Sequence, residues 1–307
     1  MEALIIGLRF IQYAGAFVLM GGALFSLRSL LGDGVASAAS LDWPRSMLAT
    51  AAGTLLVATV AGLLAQTALL AGSLAAALEP ASLQAVFSGM AMGPSSIVRA
   101  LAAALALVML GARLSRRRWL ALLTLGVIAT GSLAWMGHGA ATEGVGSMLH
   151  LMANIVHLLA AAAWIGALAF FVRLTLAARD GEASPETLHD ALAGFAGLGS
   201  LLVALILTSG LVNSWFLVGL EGTDALMATP YGRLLLLKLA LFAVMLVLAS
   251  ANRFYLTPAL RAVLGDGEKG RAAVTALCVS LAVETGAAVA VMAAVAWLGR
   301  MSPIAGP

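Results

Sequence analysis

Eight mostly apolar stretches recur along this chain, over residues 3–31, 47–75, 96–114, 119–137, 148–176, 191–218, 232–252 and 273–299. A helix needs about 20 such residues to cross the hydrocarbon layer of a bilayer. Inside lipid every backbone N–H and C=O must find its partner within the protein, which restricts spans of this length to α-helices. The expected fold class is therefore all-α: a polytopic membrane protein, a bundle of about eight transmembrane helices. The breaks between stretches, among them LEPASLQ, RLSRRRW and ARDGEASPETLHD, carry polar and helix-breaking residues and leave no room for a soluble domain. Residues 1–307 accordingly read as a single integral membrane domain. Charged residues make up 10% of the chain, against about 25% in soluble domains. The N-terminal MEALIIGLRF lacks the basic start of a signal peptide and runs directly into the first stretch, so it reads as a retained span.

Basic residues orient the bundle. With the Arg113–Arg118 loop inside, the inner side collects Arg28, Arg45, Arg113, Arg116, Arg117, Arg118, Arg173, Arg179, Arg253, Arg261, Lys269 and Arg271, whereas the outer side keeps Arg9, Arg99, Arg233 and Arg300. This bias follows the positive-inside rule and places both termini on the periplasmic side of a bacterial inner membrane, with multiple passes between them. The pI near 9.5 then reflects loops facing anionic lipid rather than nucleic acid, so the lipid bilayer is the expected partner and nucleic acid is not. The lone Cys278 excludes an internal disulfide or thiolate cluster within one chain.

The fifth stretch carries the chemistry. His150, Asn154, His157, Ala161 and Trp164 recur at helical spacing on one face, and His138 precedes them in the loop. Ionisable groups inside a bilayer are costly and mark functional sites. His150 and His157 lie two turns apart, about 10.5 Å along the axis, too far to share one ion directly from a straight helix. Each therefore needs further ligands, with His138 the first candidate, and Asn154 is placed to orient either imidazole. The bland alternative is that these histidines are simply buried and hydrogen-bonded. Met148 and Met152, four apart beside His150, and the Met90–Met92 pair add soft thioethers, which together with imidazole favour copper(I). Methionine is also a common apolar filler.

Other polar residues fall inside the stretches. Arg9, Gln12, Asn213 and Lys238 sit within about two turns of the outer ends of their helices, where lysine and arginine snorkel to the interface. Glu284 is near the middle of the last stretch, too deep for that; it must be neutral, paired, or facing an internal aqueous path. Gln66 is a weaker case of the same kind. No GxxxxGK[ST] loop, CxxC or CxxCH motif is present, so ATP-driven pumping and covalent haem are not expected, and no nucleophile–base arrangement suggests an enzyme.

These residues resemble the CopD family of inner-membrane copper resistance proteins. The resemblance rests on Gly137-His138, His150, His157, Trp164 and Gly166, on TPYGRLLLLKLALF (Thr229 to Phe242) and on ASANRFYLTPAL (Ala249 to Leu260), with Thr208-Ser209-Gly210, Asn213 and Glu284 between and after them. It covers essentially the whole chain. The likeness implies copper transport and copper resistance, with copper moving from periplasm to cytoplasm, and a separate periplasmic CopC-like copper-binding protein as donor. His138, His150 and His157 would then bind the metal with Met148 and Met152, while Asn154, Trp164, Asn213, Lys238 and Glu284 orient it or line its path. Asn154 stands where the family often has aspartate, which removes a charge from the stripe but leaves the orienting role. Two other readings stay open: a membrane electron carrier binding haem b between histidines on different helices, and a copper sensor or assembly factor that holds the metal without transporting it.

Overall fold

The computed structural model describes residues 1–31, 43–112, 115–140, 142–219 and 224–305; of residues 29–31 and His138 it describes the backbone alone. Every regular element among the described residues is helical. In chain order these are α1 (Glu2–Leu31), α2 (Trp43–Ala71), α3 (Leu74–Ala77), α4 (Pro80–Gly89), α5 (Met92–Leu110), α6 (Arg116–Ser132), α7 (Ser147–Arg179), α8 (Pro185–Val218), α9 (Ala225–Ala228), α10 (Pro230–Ala251), α11 (Thr257–Ala262) and α12 (Gly267–Leu298). Short 3₁₀ turns cover Leu133–Met136 and His138–Ala140. Eight helical segments, built on α1, α2, α5, α6, α7, α8, α10 and α12, are long and apolar enough to cross a membrane. The fold class read from the sequence is the one observed.

The helix ends differ from the apolar stretches by several residues, and local chemistry explains where. Helix α8 begins at Pro185, not 191, because Ser184 accepts a hydrogen bond from the Thr187 N–H (3.2 Å) and proline suits the first turn. Asp266 caps α12 in the same way through Lys269 (3.1 Å), which carries that helix six residues below the start of its apolar run. Thr229 caps α10 through Gly232 (3.1 Å), ahead of Pro230. This N-cap is the structural content of the TPYG segment. Gly72, with φ at +83°, closes α2 before the end of the second apolar stretch and turns the chain into two short helices, α3 across that end and α4 inside the segment expected to be a loop.

Helix α1 is the hub, packed against α2, α6, α7 and α12. Its closest approach is to α7 at Gly21 and Gly166. A Cβ on Gly166 would lie 2.5 Å from both the Gly21 Cα and the Phe17 carbonyl oxygen, so the backbones touch where the Trp-x-Gly motif falls. Further along the same pair, Phe25 packs with Phe170 and Phe171, and also with Phe195 of α8, at centroid distances of 4.7–5.7 Å.

The hub position of α1 corrects the snorkelling expectation. Arg9 and Gln12 are buried, as is Arg99 of α5. The Gln12 amide donates to the Ala58 carbonyl (3.1 Å) and its oxygen accepts from Arg99 (2.5 Å). Arg99 also donates to the Ser132 hydroxyl (3.1 Å), the Ser132 carbonyl (3.3 Å) and the Met136 sulfur (2.7 Å). Covered by neighbouring helices, none of the three reaches the interface, and Gln12 and Arg99 are solvated by protein dipoles instead.

Candidate functional site

At the end of the bundle that carries both chain termini, α1, α7, α8, α10 and α12 enclose a cavity of about 150 Å³. His150, Asn154, His157, Asn213 and Lys238 line it, so five residues singled out from three separate spans share one space. Arg9 lines it as well. No aspartate or glutamate does among the described residues, and none of the described His, Cys, Asp and Glu side chains gather in groups of three suited to a metal ion.

Each histidine is held by a specific partner. His150, 1% exposed, stacks on the Phe216 ring with centroids 4.7 Å apart and planes within 6°, and its Nδ1 lies 2.7 Å from the Thr142 hydroxyl. His157 Nδ1 lies 3.1 Å from the Ser209 hydroxyl oxygen. Ser209 in turn donates to the Leu205 carbonyl at 2.5 Å. With the hydroxyl proton directed to Leu205, the contact is satisfied by the tautomer that carries hydrogen on Nδ1. Nε2 is then the nitrogen with the lone pair, the form in which imidazole binds a metal. Gly210 keeps the space beside this ring open; a Cβ there would sit 3.4 Å from Cε1.

The loop folds over the stripe. A Cβ on Gly139 would lie 2.7 Å from the Asn154 amide nitrogen, so the His138–Ala140 turn rests directly on the middle residue of the stripe. The side chain of His138 is outside the described part of the structure, as is its pairing with His150 around a haem. Met148 and Met152 are 69% and 50% exposed and do not line the cavity. They stand two residues to either side of the buried His150, and that spacing turns them to the other side of α7. Met90 and Met92 line a neighbouring cavity with Met136, and Gln66 there accepts from Arg300 (3.3 Å).

Trp164 and Glu284 form a second, separate cluster, about two turns further along α7 from His157. Glu284 is 1% exposed; one oxygen accepts from the Trp164 indole N–H (3.1 Å), the other from the Asn252 amide (2.9 Å). Asn252 opens a π-helical turn, Asn252–Leu256, in which the Thr257 N–H reaches back to the Asn252 carbonyl. Pro258 follows at once: it offers no N–H, and its ring displaces the carbonyl four residues back, which the widened turn accommodates. The Asn-Arg-x₄-Pro segment thus delivers an amide to the buried carboxylate. Glu284 therefore does not share the cavity of Asn213 and Lys238, but lines a cleft of about 300 Å³ with Trp164 and Arg253.

Sequence reasoning gave no role to Ser209, Thr142, Phe216, Arg9 or Asn252 at these sites. Ser209 and Asn252 sat within quoted motifs, so their signal was present; Thr142 and Phe216 carried none.

Comparison with known proteins is consistent along the whole chain. The family model described as copper resistance protein D-like, N-terminal domain, matches residues 1–149, and that of copper resistance protein D matches residues 189–298. "Copper resistance protein D" of Pseudomonas syringae pv. tomato is 38% identical over 305 residues, 98% of this chain and 97% of the relative. "Inner membrane protein YebZ" of Escherichia coli (strain K12) is 36% identical over 129 residues, 42% of this chain and 43% of the relative. "Copper transport protein CutJ" of Bacillus subtilis (strain 168) is 33% identical over 125 residues, 40% of this chain and 22% of the relative. No solved structure matches. With a relative aligned from end to end and a family model on each half, the chain belongs to the copper resistance protein D family.

Proposed function

We propose that this protein takes copper, as its cargo, from the periplasm and passes it across the inner membrane to the cytoplasm, as a transporter rather than an enzyme. The observation that carries this reading is the placement of His157, which lines the cavity with Nδ1 engaged by Ser209; the tautomer with hydrogen on Nδ1 leaves Nε2 to bind a metal. The relatives named for copper resistance and copper transport supply the metal. Imidazole suits copper, whereas magnesium and calcium prefer carboxylates, of which the cavity has none among the described residues. Arg9 and Lys238 on the same cavity make it an unfavourable resting place for a cation, and weak retention is what a conducting site needs. His150 and His157, with His138 above them, form the receiving end; Asn154 orients; Trp164, Asn252 and Glu284 form the next polar station. The basic-residue count puts this end and both termini in the periplasm, where a CopC-like copper-binding protein would deliver the ion. Residues 1–307 act as one membrane domain. Without a nucleotide motif, movement is downhill or coupled to an ion gradient.

The test is copper(I) affinity of the detergent-purified protein by chelator competition, beside His157→Ala and followed by uptake into proteoliposomes. The expected result is about one bound copper per chain, lost in the variant, with uptake that falls in parallel. Binding unchanged by the substitution would remove His157 from the site, and binding without uptake would favour a copper-holding factor over a transporter.

A further inference from the structure

Helix α8 rests on α7 and α10 rests on α12, but α8 and α10 barely touch one another until the chain reaches the π turn and α11. Between them, toward the end of the bundle opposite the chain termini, runs the cleft of about 300 Å³ that Trp164 and Glu284 also line. Its walls are mostly apolar, with Phe171, Phe195, Val203, Leu246, Ala249 and Leu281 among them. Glu284 turns no open oxygen to it, since both are taken by Trp164 and Asn252. Elsewhere α8 exposes Leu201 and Leu207, and α10 exposes Val244 and Val247, the surface of helices that face lipid.

One cation stands at the mouth of this cleft. Arg253, exposed on the π turn, donates from Nη1 to the Ser200 hydroxyl of α8, and its guanidinium carbon lies 5.1 Å from the centre of the Phe254 ring. It enters no ion pair among the described residues, unlike Arg173, Arg179 and Lys269. With one nitrogen spent on a neutral hydroxyl, the rest of the exposed fork is open to an anion. From Arg233 to Arg253 is 20 residues, about 30 Å at helical rise, which is the thickness of the hydrocarbon layer. Arg253 therefore stands at the level where lipid phosphates begin, and the cleft runs from there into the acyl-chain region. Phe254 and Tyr255, both exposed, mark the same level, where aromatic side chains gather in membrane proteins.

We propose that this cleft binds an anionic phospholipid of the adjoining leaflet, its phosphate on Arg253 and one acyl chain between α8 and α10. Charge selects the headgroup, as in other basic pockets between spans, and the apolar walls select the chain. The assignment stands apart from the copper reading, since it needs no metal. Its consequence reaches that reading all the same: a seated acyl chain covers the side of the bundle on which Trp164 and Glu284 lie.

The experiment uses the full-length protein, stripped of lipid in detergent and read by native mass spectrometry. The probe is palmitoyl-oleoyl phosphatidylglycerol, and the reference is zwitterionic phosphatidylcholine with the same chains. The expected result is a saturable phosphatidylglycerol adduct at least about fivefold tighter than its phosphatidylcholine counterpart, the worth of one basic side chain against an anionic headgroup. Arg253→Gln should bring the two lipids level, and Arg253→Lys, which keeps the charge, should retain most of the preference. Ala249→Phe fills the cleft and leaves Arg253 in place; it should weaken both lipids at least about fivefold. Arg116→Gln, at an exposed arginine on the same end of the bundle, should leave both unchanged. If Arg253→Gln does not fold, the parent carries the comparison through fluorescence. Phosphatidylglycerol brominated along its chain should quench Trp164, read as the difference from Trp164→Phe, at lower concentration than brominated phosphatidylcholine. Equal affinity for the two lipids in the parent, a preference untouched by Arg253→Gln, binding untouched by Ala249→Phe, or no quenching that depends on Trp164 would each overturn the proposal.

Discussion

Substituting Glu284 by glutamine and by alanine separates its hydrogen bonds from its charge. The carboxylate accepts two bonds, from Trp164 (3.1 Å) and from the Asn252 amide nitrogen (2.9 Å), and the Asn252 amide oxygen is buried without a partner. Glutamine keeps one acceptor for the indole N–H and turns a donor toward Asn252. A flip of the Asn252 amide then presents its unpartnered oxygen to that donor, so both bonds survive and the number of unmet groups does not rise. Alanine offers nothing to either donor. Hydrogen bonds between helices in membranes are worth about 0.6–1.7 kcal/mol each, so two together give a loss of about 1–3 kcal/mol, and any void left behind adds to it. Unfolding in mixed micelles by titration with sodium dodecyl sulfate measures this directly. Glu284→Gln should unfold within about 0.5 kcal/mol of the parent, the ordinary scatter of neutral substitutions, and Glu284→Ala well below it. Glutamine as damaging as alanine, or alanine without cost, would refute the hydrogen-bond account. Because glutamine preserves the fold, copper uptake by that variant isolates the ionisable proton: uptake lost at unchanged stability assigns Glu284 a part in charge movement.

Three further outcomes follow from the geometry. Ser209→Ala removes the acceptor that fixes the His157 tautomer and should weaken copper(I) binding about tenfold, at the low end for groups that orient a metal ligand, in the chelator competition assay. Met148→Leu with Met152→Leu should leave that affinity within about twofold, under 0.5 kcal/mol, since both side chains face away from the cavity; a larger loss would bring the thioethers back to the site. Gly166→Ala forces α7 off α1 at a backbone contact and should cost about 1–3 kcal/mol in the same micelle titration, with copper affinity falling only as far as the helices separate.

What the sequence made legible was whatever depends on one helix at a time. The eight spans follow from apolar length, and the stripe of His150, Asn154 and His157 follows from helical period, which is why these three do share a cavity. Period also decides against Met148 and Met152, because residues two to either side of His150 sit far around the helix from it. Whatever depends on which helices meet was not legible. Depth alone assigned Arg9 and Gln12 to the interface, but depth says nothing about cover, and α1 turned out to be the helix that the others surround. Glu284 and Asn213 looked like stations on one path because both are polar and inward. They separate because Glu284 is claimed by Trp164 on α7 and by Asn252, which opens the π-helical turn that precedes a proline seven residues beyond the end of α10. A polar residue in a span thus announces that it needs a partner, while the partner's identity is a property of the bundle. Arg9 is the limiting case: its Nε and Nη2 are buried and find no partner among the described residues, a cost that neither its depth nor its own span announces.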